Sequence, residues 1–411
     1  MNSVMVNLLR ERPIVVTGMG SFSSAGDSVS ALWNAAIAGR SLAVWRDFGN
    51  GDDGSRFAVC SAPEIDVSRP ELRAVRRLDR SVQMAWVAAN QAWEQARLAD
   101  VYAPERIGVM VGSSRGPLGK RIETLREGTK LLPSLAADTT FASLSGALAQ
   151  SFKLRGPGAS ISATCASSAF AIGLAAEQIL LDRVDAMLVG GAEAPLQAAL
   201  LKQLHATGVM GFHPEAEQTC RPFDINRNGM LVGEGSGFLV LESAQAARAR
   251  SAHVHARIAG WAFSLDSVGR TGVTQEGSAL LQTMQQALQL AELCPHEIDY
   301  VNAHGTGTRM NDAAEAQAVK TLFGPHVKNM PCSSTKPITG HCLGATPALE
   351  AVLSIEALRH QMIPPTANCT SQDPLCPINV QPVTAQSAKL STVMSNSLGF
   401  WGYHASLIFS Q

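Results

Sequence analysis

The hydrophobic positions of this chain form short apolar runs that alternate with longer segments of helical periodicity. From residue 107 onward, the order is strand (107–114), helix (140–152), strand (159–164), helix of small residues (165–182) and strand (185–191). Short apolar runs bounded by glycine or polar residues predict buried strands, and strands that alternate with helices predict a largely parallel sheet. The pattern therefore predicts an α/β fold.

The same order returns in the second half of the chain. There the pattern predicts strand (298–305), helix (311–323), strand (330–335), helix of small residues (342–360) and strand (391–399). This pseudo-repeat of about half the chain predicts an internal duplication. We place the division between an N-terminal half, residues 1–255, and a C-terminal half, residues 256–411.

The two small-residue helices differ from ordinary surface helices. CASSAFAIGLAAEQIL and CLGATPALEAVLSIEAL have little polar face in their first turns. Helices that are apolar all round lie between layers, where small residues let backbones approach closely. We therefore expect a layered α-β-α-β-α sandwich with these two helices at its centre.

Composition excludes several classes of protein. The chain has 411 residues, 46% of them apolar, and a net charge of −1, which gives no reason to expect nucleic acid or an anionic membrane as a partner. It has no apolar run of about eighteen residues, and MNSVMVNLLRERP lacks the features of a secretory signal. We expect a cytoplasmic protein.

Cysteine spacing argues against a disulfide scaffold or a zinc cluster. The eight cysteines include no CxxC pair. VVTGMGSFSSAG, at residues 15–26, follows an apolar strand, but its third glycine is out of register for a dinucleotide-binding loop. A tight turn explains that segment better.

Cys165 has a chemically distinct position, between a strand end and the first turn of a small-residue helix, in SATCASSAFAIG. Unpaired amides and the positive end of the helix dipole favour a thiolate there, and a nearby N–H can stabilise an oxyanion. A buried structural cysteine is the alternative.

Two histidines also follow predicted strands. His304 lies in VNAHGTGT, and His341 lies in STKPITGHCLGA, five residues after Lys336. One cysteine and two neutral imidazoles suit thioester chemistry, because the imidazoles can donate hydrogen bonds to a developing enolate. Asp312 and Glu315 could orient Lys336 or a histidine, or they could simply complement a helix N-terminus.

Six segments together carry a resemblance to a known family. They are, in chain order, SATCASSAFAIG, RPFDINRNGMLVGEGSGFLVLE, VNAHGTGT, DAAEAQAVK, SSTKPITGH and SNSLGF. With them the chain resembles the β-ketoacyl-acyl-carrier-protein synthases, the elongating condensing enzymes of thiolase fold that serve fatty acid and type II polyketide synthesis. The likeness runs from about residue 13 to the end.

The resemblance implies a role for each matching residue. Cys165 would be the nucleophile, and His304 and His341 would support decarboxylation of a malonyl thioester. Lys336 and Glu315 would form an ion pair that holds the histidine region. The amides of Cys165 and Phe400 would form the oxyanion hole, with the Phe400 ring gating the acyl pocket.

It also implies binding sites and partners. Thr306 and Thr308 would contact the phosphopantetheine arm of an acyl carrier protein, and no other cofactor is expected. A structural monovalent cation would lie near Asn302, Glu350, Ser395 and Asn396. The chain would dimerise through the strand before Cys165, as a homodimer or with a chain-length-factor-like subunit.

The carrier would dock on Arg73, Arg76 and Arg77, which lie in RAVRR. Without the resemblance, these arginines could equally form a solvated basic helix face.

Three positions depart from the family pattern beside the acyl pocket. Leu398 stands where phenylalanine is usual, Trp401 replaces a small residue, and Arg115 replaces an apolar residue. A buried, unpaired guanidinium is costly beside an alkyl chain. Either Arg115 turns away, or the acyl group is polar, short or conjugated, which predicts a specialised, polyene-like or other type II polyketide pathway.

Three other functions compete with this one. A chain-length subunit would lack the reactive cysteine. A thiolase-type or ester-forming acyltransferase would work without decarboxylation. A Cys-His hydrolase would release the acyl group as a free acid.

Overall fold

The computed structural model describes residues 3–49, 55–126, 128, 132–270, 273–381 and 384–411. Its strands are β1 (Ile14–Ser23), β2 (Val44–Asp47), β3 (Arg56–Cys60), β4 (Ile107–Gly112), β5 (Gly158–Ile161), β6 (Ala186–Glu193), β7 (Val232–Gly233), β8 (Gly235–Ser243), β9 (Ala256–Leu265), β10 (Tyr300–Asn302), β11 (Pro331–Ser333), β12 (Met362–Ile363), β13 (Asn379–Val380), β14 (Gln386–Ser387), β15 (Thr392–Gly399) and β16 (Tyr403–Ser410).

The helices alternate with these strands. They are α1 (Ser3–Glu11), α2 (Val29–Ala38), α3 (Arg80–Ala96), α4 (Leu118–Thr124), α5 (Leu135–Asp138), α6 (Ala142–Phe152), α7 (Ser167–Leu180), α8 (Ala198–Ala206), α9 (Ala244–Ala249), α10 (Ser278–Ala291), α11 (Arg309–Phe323), α12 (Lys336–Thr339) and α13 (Thr346–His360).

Eleven strands form one continuous sheet in the order β13-β11-β10-β15-β16-β9-β1-β8-β6-β4-β5. In the first half β4 pairs in parallel with β5 and β6, and in the second half β10 pairs in parallel with β11 and β15. An antiparallel strand follows in each half, β8 beside β6 and β16 beside β15. The repeated order confirms the duplicated α/β topology.

The two halves meet where β1 pairs with β9. Ile14 lies opposite Ile258, and Val16 lies opposite Ala256. One ladder of hydrogen bonds therefore crosses from the N-terminal half into the C-terminal half.

The central helices α7 and α13 pack into one apolar core between the two halves of the sheet. Every residue of α13 from Thr346 to Leu358 is buried. Helices α3 and α6 cover the other face of the first half, and α10 and α11 cover that of the second. This is the predicted α-β-α-β-α layering.

Glycine makes the central packing possible. A Cβ atom on Gly112, at the end of β4, would lie 2.3 Å from the backbone nitrogen of Ser168 in α7. A side chain of any size there would push the helix off the sheet, which explains the small residues along both surfaces.

The predicted strand 298–305 is shorter than expected. β10 ends at Asn302, and the main-chain amides of His304 and Gly305 donate to the Glu315 carboxylate at 2.8 Å each. These two amides therefore do not take part in the hydrogen bonds of the sheet, and His304 lies in a loop.

Within the described ranges, no helix is both long and apolar enough to cross a membrane.

Candidate active site

A cavity of about 650 Å³ opens where the ends of several sheet elements converge. It is lined by Cys165 just before α7, by His304 after β10, by His341 after α12, and by Phe400 in the turn between β15 and β16. The structure thus brings together the cysteine and both histidines that the sequence singled out.

Cys165 lies two residues before the first helical residue of α7, at a strained point of the backbone. Thr164, directly before it, has a φ of +50°, which is unfavourable for a β-branched residue. The hydroxyl of Thr164 donates to the carbonyl oxygen of Phe400 at 3.1 Å. Gly399 is required beside it, because a Cβ atom there would lie 2.1 Å from the Thr164 hydroxyl oxygen.

Burial and the surrounding charges act in opposite directions on the ionisation of the Cys165 sulfur. Burial raises the pKa of this thiol to about 12, although the positive charges of Lys336 and Arg115 and a hydrogen bond from the Phe400 amide act in the opposite direction. The thiolate favoured by the helix terminus is thus opposed by the loss of hydration, and it stays a prediction. The thiol must give up its proton when it reacts.

The two imidazoles form an edge-to-face pair. The ring centroids of His304 and His341 are 5.2 Å apart, and their planes are 83° apart. Burial, assisted by the charge of Lys336, lowers the pKa of both rings well below the usual value for histidine. Both are therefore neutral near neutral pH and can each donate one ring N–H.

Acidic side chains fix the loop that carries His304. Glu315, on α11, binds the amides of His304 and Gly305, and Asp312 binds those of Thr306 and Gly307. Burial raises the pKa of Glu315 to about 7, and these two amides oppose the shift.

The predicted Lys336–Glu315 ion pair is wrong. The Nζ atom of Lys336 lies 2.6 Å from a carboxylate oxygen of Glu350, and both side chains are buried. Lys336 begins α12 and Glu350 lies one turn into α13, so the pair connects the segments on either side of His341. Glu315 instead holds the backbone of the His304 loop.

His341 has a partner of its own. Its Nδ1 atom lies 2.9 Å from the Thr346 hydroxyl oxygen. When that hydroxyl donates to Nδ1, the ring proton resides on Nε2.

The residues proposed for a cation lie at one buried place in the sheet. Asn302 pairs with Ser395 across β10 and β15. Both side-chain polar atoms of Asn302 and one oxygen of Glu350 are buried without a hydrogen-bond partner. The amide oxygen of Asn396 already accepts from the Ser406 hydroxyl at 2.8 Å. The unpartnered oxygens of Asn302 and Glu350 therefore fit a monovalent cation, and the Asn396 oxygen keeps one free lone pair.

The cavity mouth holds the predicted substrate-binding residues. Thr306 and Thr308 line it, and their hydroxyl oxygens are 2.9 Å apart. Leu398 and Trp401 line it too, with Trp401 58% exposed and its ring 5.7 Å from the Arg270 guanidinium. Arg115 lines the same cavity.

The predicted docking arginines lie elsewhere. Arg73, Arg76 and Arg77 are exposed on and after the short helical turn 70–74, and none of them lines the cavity.

Sequence reasoning missed the pairing of Glu350 with Lys336, and it missed Glu193 altogether. Glu350 as the partner of Lys336 had a usable signal, since a carboxylate inside an otherwise apolar helix needs a buried partner. Glu193, at the end of β6, binds the loop 113–115 and the amide of Gly344. Its hydrogen-bond partners are distant in sequence, and no local sequence pattern predicts them.

Family comparison accounts for most of the chain. The sequence profile described as "Beta-ketoacyl synthase, N-terminal domain" matches residues 11–247, and that described as "Beta-ketoacyl synthase, C-terminal domain" matches residues 255–370. The chain is 35% identical to 3-oxoacyl-[acyl-carrier-protein] synthase 2 of Coxiella burnetii, over 98% of this chain and 99% of that protein.

Solved structures give the same picture. One is the ketosynthase of a type II polyketide synthase in complex with its acyl-carrier protein and bound to the hexaketide, with a TM-score of 0.87, 28% identity, and coverage of 97% of this chain and 99% of that one. Another is the ishigamide ketosynthase/chain length factor, with a TM-score of 0.88, 30% identity and the same coverage.

Proposed function

Because this chain belongs to the β-ketoacyl synthase family, we propose that it joins an acyl group carried on Cys165 to a two-carbon unit from malonyl-acyl carrier protein. It is a condensing enzyme of the acyltransferase type. The observation that carries the proposal is the single cavity lined by Cys165, His304 and His341. These groups supply a nucleophile and two neutral hydrogen-bond donors.

The first step loads the enzyme. The sulfur of Cys165 attacks the carbonyl carbon of the acyl thioester, its proton passes to a neutral imidazole, and the carrier thiol leaves with a proton. The main-chain amides of Cys165 and Phe400 form the oxyanion hole for the tetrahedral intermediate, and the Phe400 ring gates the acyl pocket. The hydrogen bond from the Phe400 amide to the Cys165 thiol supports this placement.

The second step extends the chain. The carboxylate of the malonyl thioester leaves as carbon dioxide, and its bonding electrons pass into an enolate whose oxygen accepts hydrogen bonds from His304 and His341. The enolate carbon then bonds to the acyl carbon while the bond to the Cys165 sulfur breaks. The sulfur takes back a proton.

The supporting residues keep this machinery in place. Lys336, through Glu350, and Glu315, through the His304 loop, position the two imidazoles. Asn302, Glu350, Ser395 and Asn396 would hold a monovalent cation, which would balance buried negative charge and take no part in the reaction. The substrates arrive on phosphopantetheine, which passes Thr306 and Thr308.

Partners follow from the similar structures and from exposed groups. We assign Arg73, Arg76 and Arg77 to docking of an acyl carrier protein, because they are exposed cations without a carboxylate in the described ion pairs. β5 is an edge strand, which supports pairing with a second copy or with a chain-length-factor-like subunit. The two halves would be residues 1–255 and 256–411, and we place the enzyme in the cytoplasm, in a specialised polyketide or fatty acid pathway.

Intact-mass analysis tests the proposed function. The protein is mixed with acyl-carrier thioesters and then with malonyl carrier, and its peptides are mapped after each step. We expect the acyl mass on the peptide that contains Cys165, followed by its loss, release of carbon dioxide and a carrier-bound product longer by two carbons. Release of free acid without extension, or acylation at another residue, would contradict the proposal.

Thr346 should matter for extension more than for loading. Thr346→Val removes the partner of His341 Nδ1, so we expect kcat for condensation to fall by about five- to tenfold while the rate of Cys165 acylation stays unchanged. Thr346→Ser keeps a hydroxyl and should restore kcat. Loss in Thr346→Ser without loss in Thr346→Val would show that the methyl contact, and not the hydrogen bond, is what matters.

A further inference from the structure

Arg115 lies on a loop that the fold holds rigidly against the active site. The carboxylate of Glu193 accepts hydrogen bonds from the amide of Ser114 at 2.6 Å, from the amide of Arg115 at 2.9 Å and from the amide of Gly344 at 3.1 Å. Gly344 follows His341 by three residues, so this buried carboxylate ties the Arg115 loop to the histidine segment. The main chain of Arg115 is thus fixed before any substrate arrives.

Among the described residues, the Arg115 guanidinium has no hydrogen-bond or ion-pair partner. It lines the same cavity as Cys165, and its Nε atom is buried without a hydrogen bond. None of the described ion pairs includes Arg115. The carboxylate of Glu193, which lies beside this loop, accepts hydrogen bonds from main-chain amides and makes no ion pair with the guanidinium.

Three other partly or fully buried arginines have carboxylate partners. Arg227 pairs with Asp373 and Asp312, Arg80 pairs with Glu234, and Arg250 pairs with Glu242. Arg115 differs from these three, because its guanidinium has no carboxylate among the described ion pairs although it lines the cavity of Cys165. A half-buried cation without a counter-ion is costly, so its counter-ion is expected to arrive with a ligand.

Three kinds of acyl chain can be compared as partners for the Arg115 guanidinium. A saturated alkyl chain would bury it without compensation. A conjugated chain could stack on its face but would leave the in-plane Nε–H without an acceptor. A carboxylate accepts two parallel N–H bonds from the guanidinium edge and neutralises it.

We infer that the acyl group loaded on Cys165 carries a second carboxylate, which pairs with Arg115 in the cavity. The inference rests on the proposed function and narrows its substrate to half-thioesters of dicarboxylic acids. Arg115 is then a specificity residue that contacts the distal end of the chain while the thioester end reaches Cys165.

The test compares acyl carriers that differ only at the distal group. A series of carrier-bound acyl chains of increasing length is prepared with a terminal carboxylate, with the isosteric carboxamide and with a methyl group. The rate of Cys165 acylation is measured by intact mass for the wild type, Arg115→Leu, Arg115→Lys and Arg183→Leu. Arg183 is exposed beyond the far end of α7 and serves as the matched control.

We expect the wild type to load the carboxylate chain of one length about ten- to a hundredfold faster than its carboxamide and methyl counterparts. Arg115→Leu should reverse that preference while still loading methyl-ended chains, Arg115→Lys should keep part of it, and Arg183→Leu should match the wild type. Retained loading of methyl-ended chains also shows that Arg115→Leu is folded.

Two outcomes would overturn the inference. The first is that the wild type loads methyl-ended chains as fast as carboxylate-ended chains at every length. The second is that Arg115→Leu slows the loading of all chains equally. Either result would mean that Arg115 affects the Cys165 sulfur or the stability of the fold and does not bind the distal group of the substrate. Loading that is followed by extension, but without the preference, would remove this inference and leave the proposed function intact. Absence of any loading or extension would remove both.

Discussion

Cys165→Ala is expected to abolish acylation and to reduce condensation below about one thousandth of the wild-type rate, because Cys165 is the one cysteine among the described residues that line the cavity. The variant should still release carbon dioxide from malonyl carrier, since His304 and His341 remain.

His304→Ala should behave in the opposite way. It should accept the acyl group on Cys165 and lose condensation by about 10²–10³-fold, since the enolate loses one hydrogen-bond donor.

The two half-reactions are measured separately, by intact mass for acylation and by release of labelled carbon dioxide for decarboxylation. Cys294→Ala is the matched control, because Cys294 is an exposed free cysteine away from the cavity. If Cys165→Ala were acylated, or if His304→Ala condensed at the wild-type rate, the roles assigned to these residues would be wrong.

Lys336→Met is expected to lower the free energy of unfolding by about 3–5 kcal/mol, because it leaves the Glu350 carboxylate buried without its cation. Burial already raises the pKa of Glu350 to about 7, and loss of Lys336 removes a charge that opposes this rise. A carboxyl whose pKa is raised in the folded state binds more protons than in the unfolded chain, so stability falls as the pH rises through that range. The deficit of Lys336→Met should therefore be larger at about pH 8 than at about pH 6.

Urea unfolding at the two pH values, at one protein concentration, measures the effect. Lys336→Met combined with Glu350→Gln should recover most of the loss, because no buried charge remains. Arg155→Met is the control for an exposed ion pair, with Glu105, and should change stability by less than about 0.5 kcal/mol. A pH-independent deficit that the double variant does not relieve would point to lost packing and not to charge.

The arrangement of the layers was predictable because its signals are local. The hydrophobic pattern of neighbouring residues shows whether a strand or helix is buried on one face or on both. This pattern produces the apolar runs and the small-residue helices, and it recurs in the second half of the chain. The cysteine and the two histidines were also predictable, since Cys165 and His304 follow strands and His341 follows the short helix α12, all at the edge where the sheet borders the cavity.

The partners of buried charges were not predictable in the same way. The resemblance implies an ion pair between Lys336 and Glu315, which lies close to His304 in sequence. In the structure Lys336 forms its ion pair with Glu350. That choice depends on how α12 and α13 meet in space, which no run of residues encodes. The effect of burial on the pKa of Cys165 could not be predicted either, because the helix terminus is visible in the sequence while the depth of burial is not.

The ladder between β1 and β9 has a mechanical consequence. Two units that share a continuous row of main-chain hydrogen bonds, and whose α7 and α13 lie in one core, cannot swing apart as rigid bodies about a hinge. Substrate entry must then depend on small displacements at the rim, above all in the turn that carries Phe400 and Trp401. A spectroscopic label on that turn should report binding of an acyl carrier, whereas labels on the outer helices α3 and α10 should keep their separation throughout the reaction cycle.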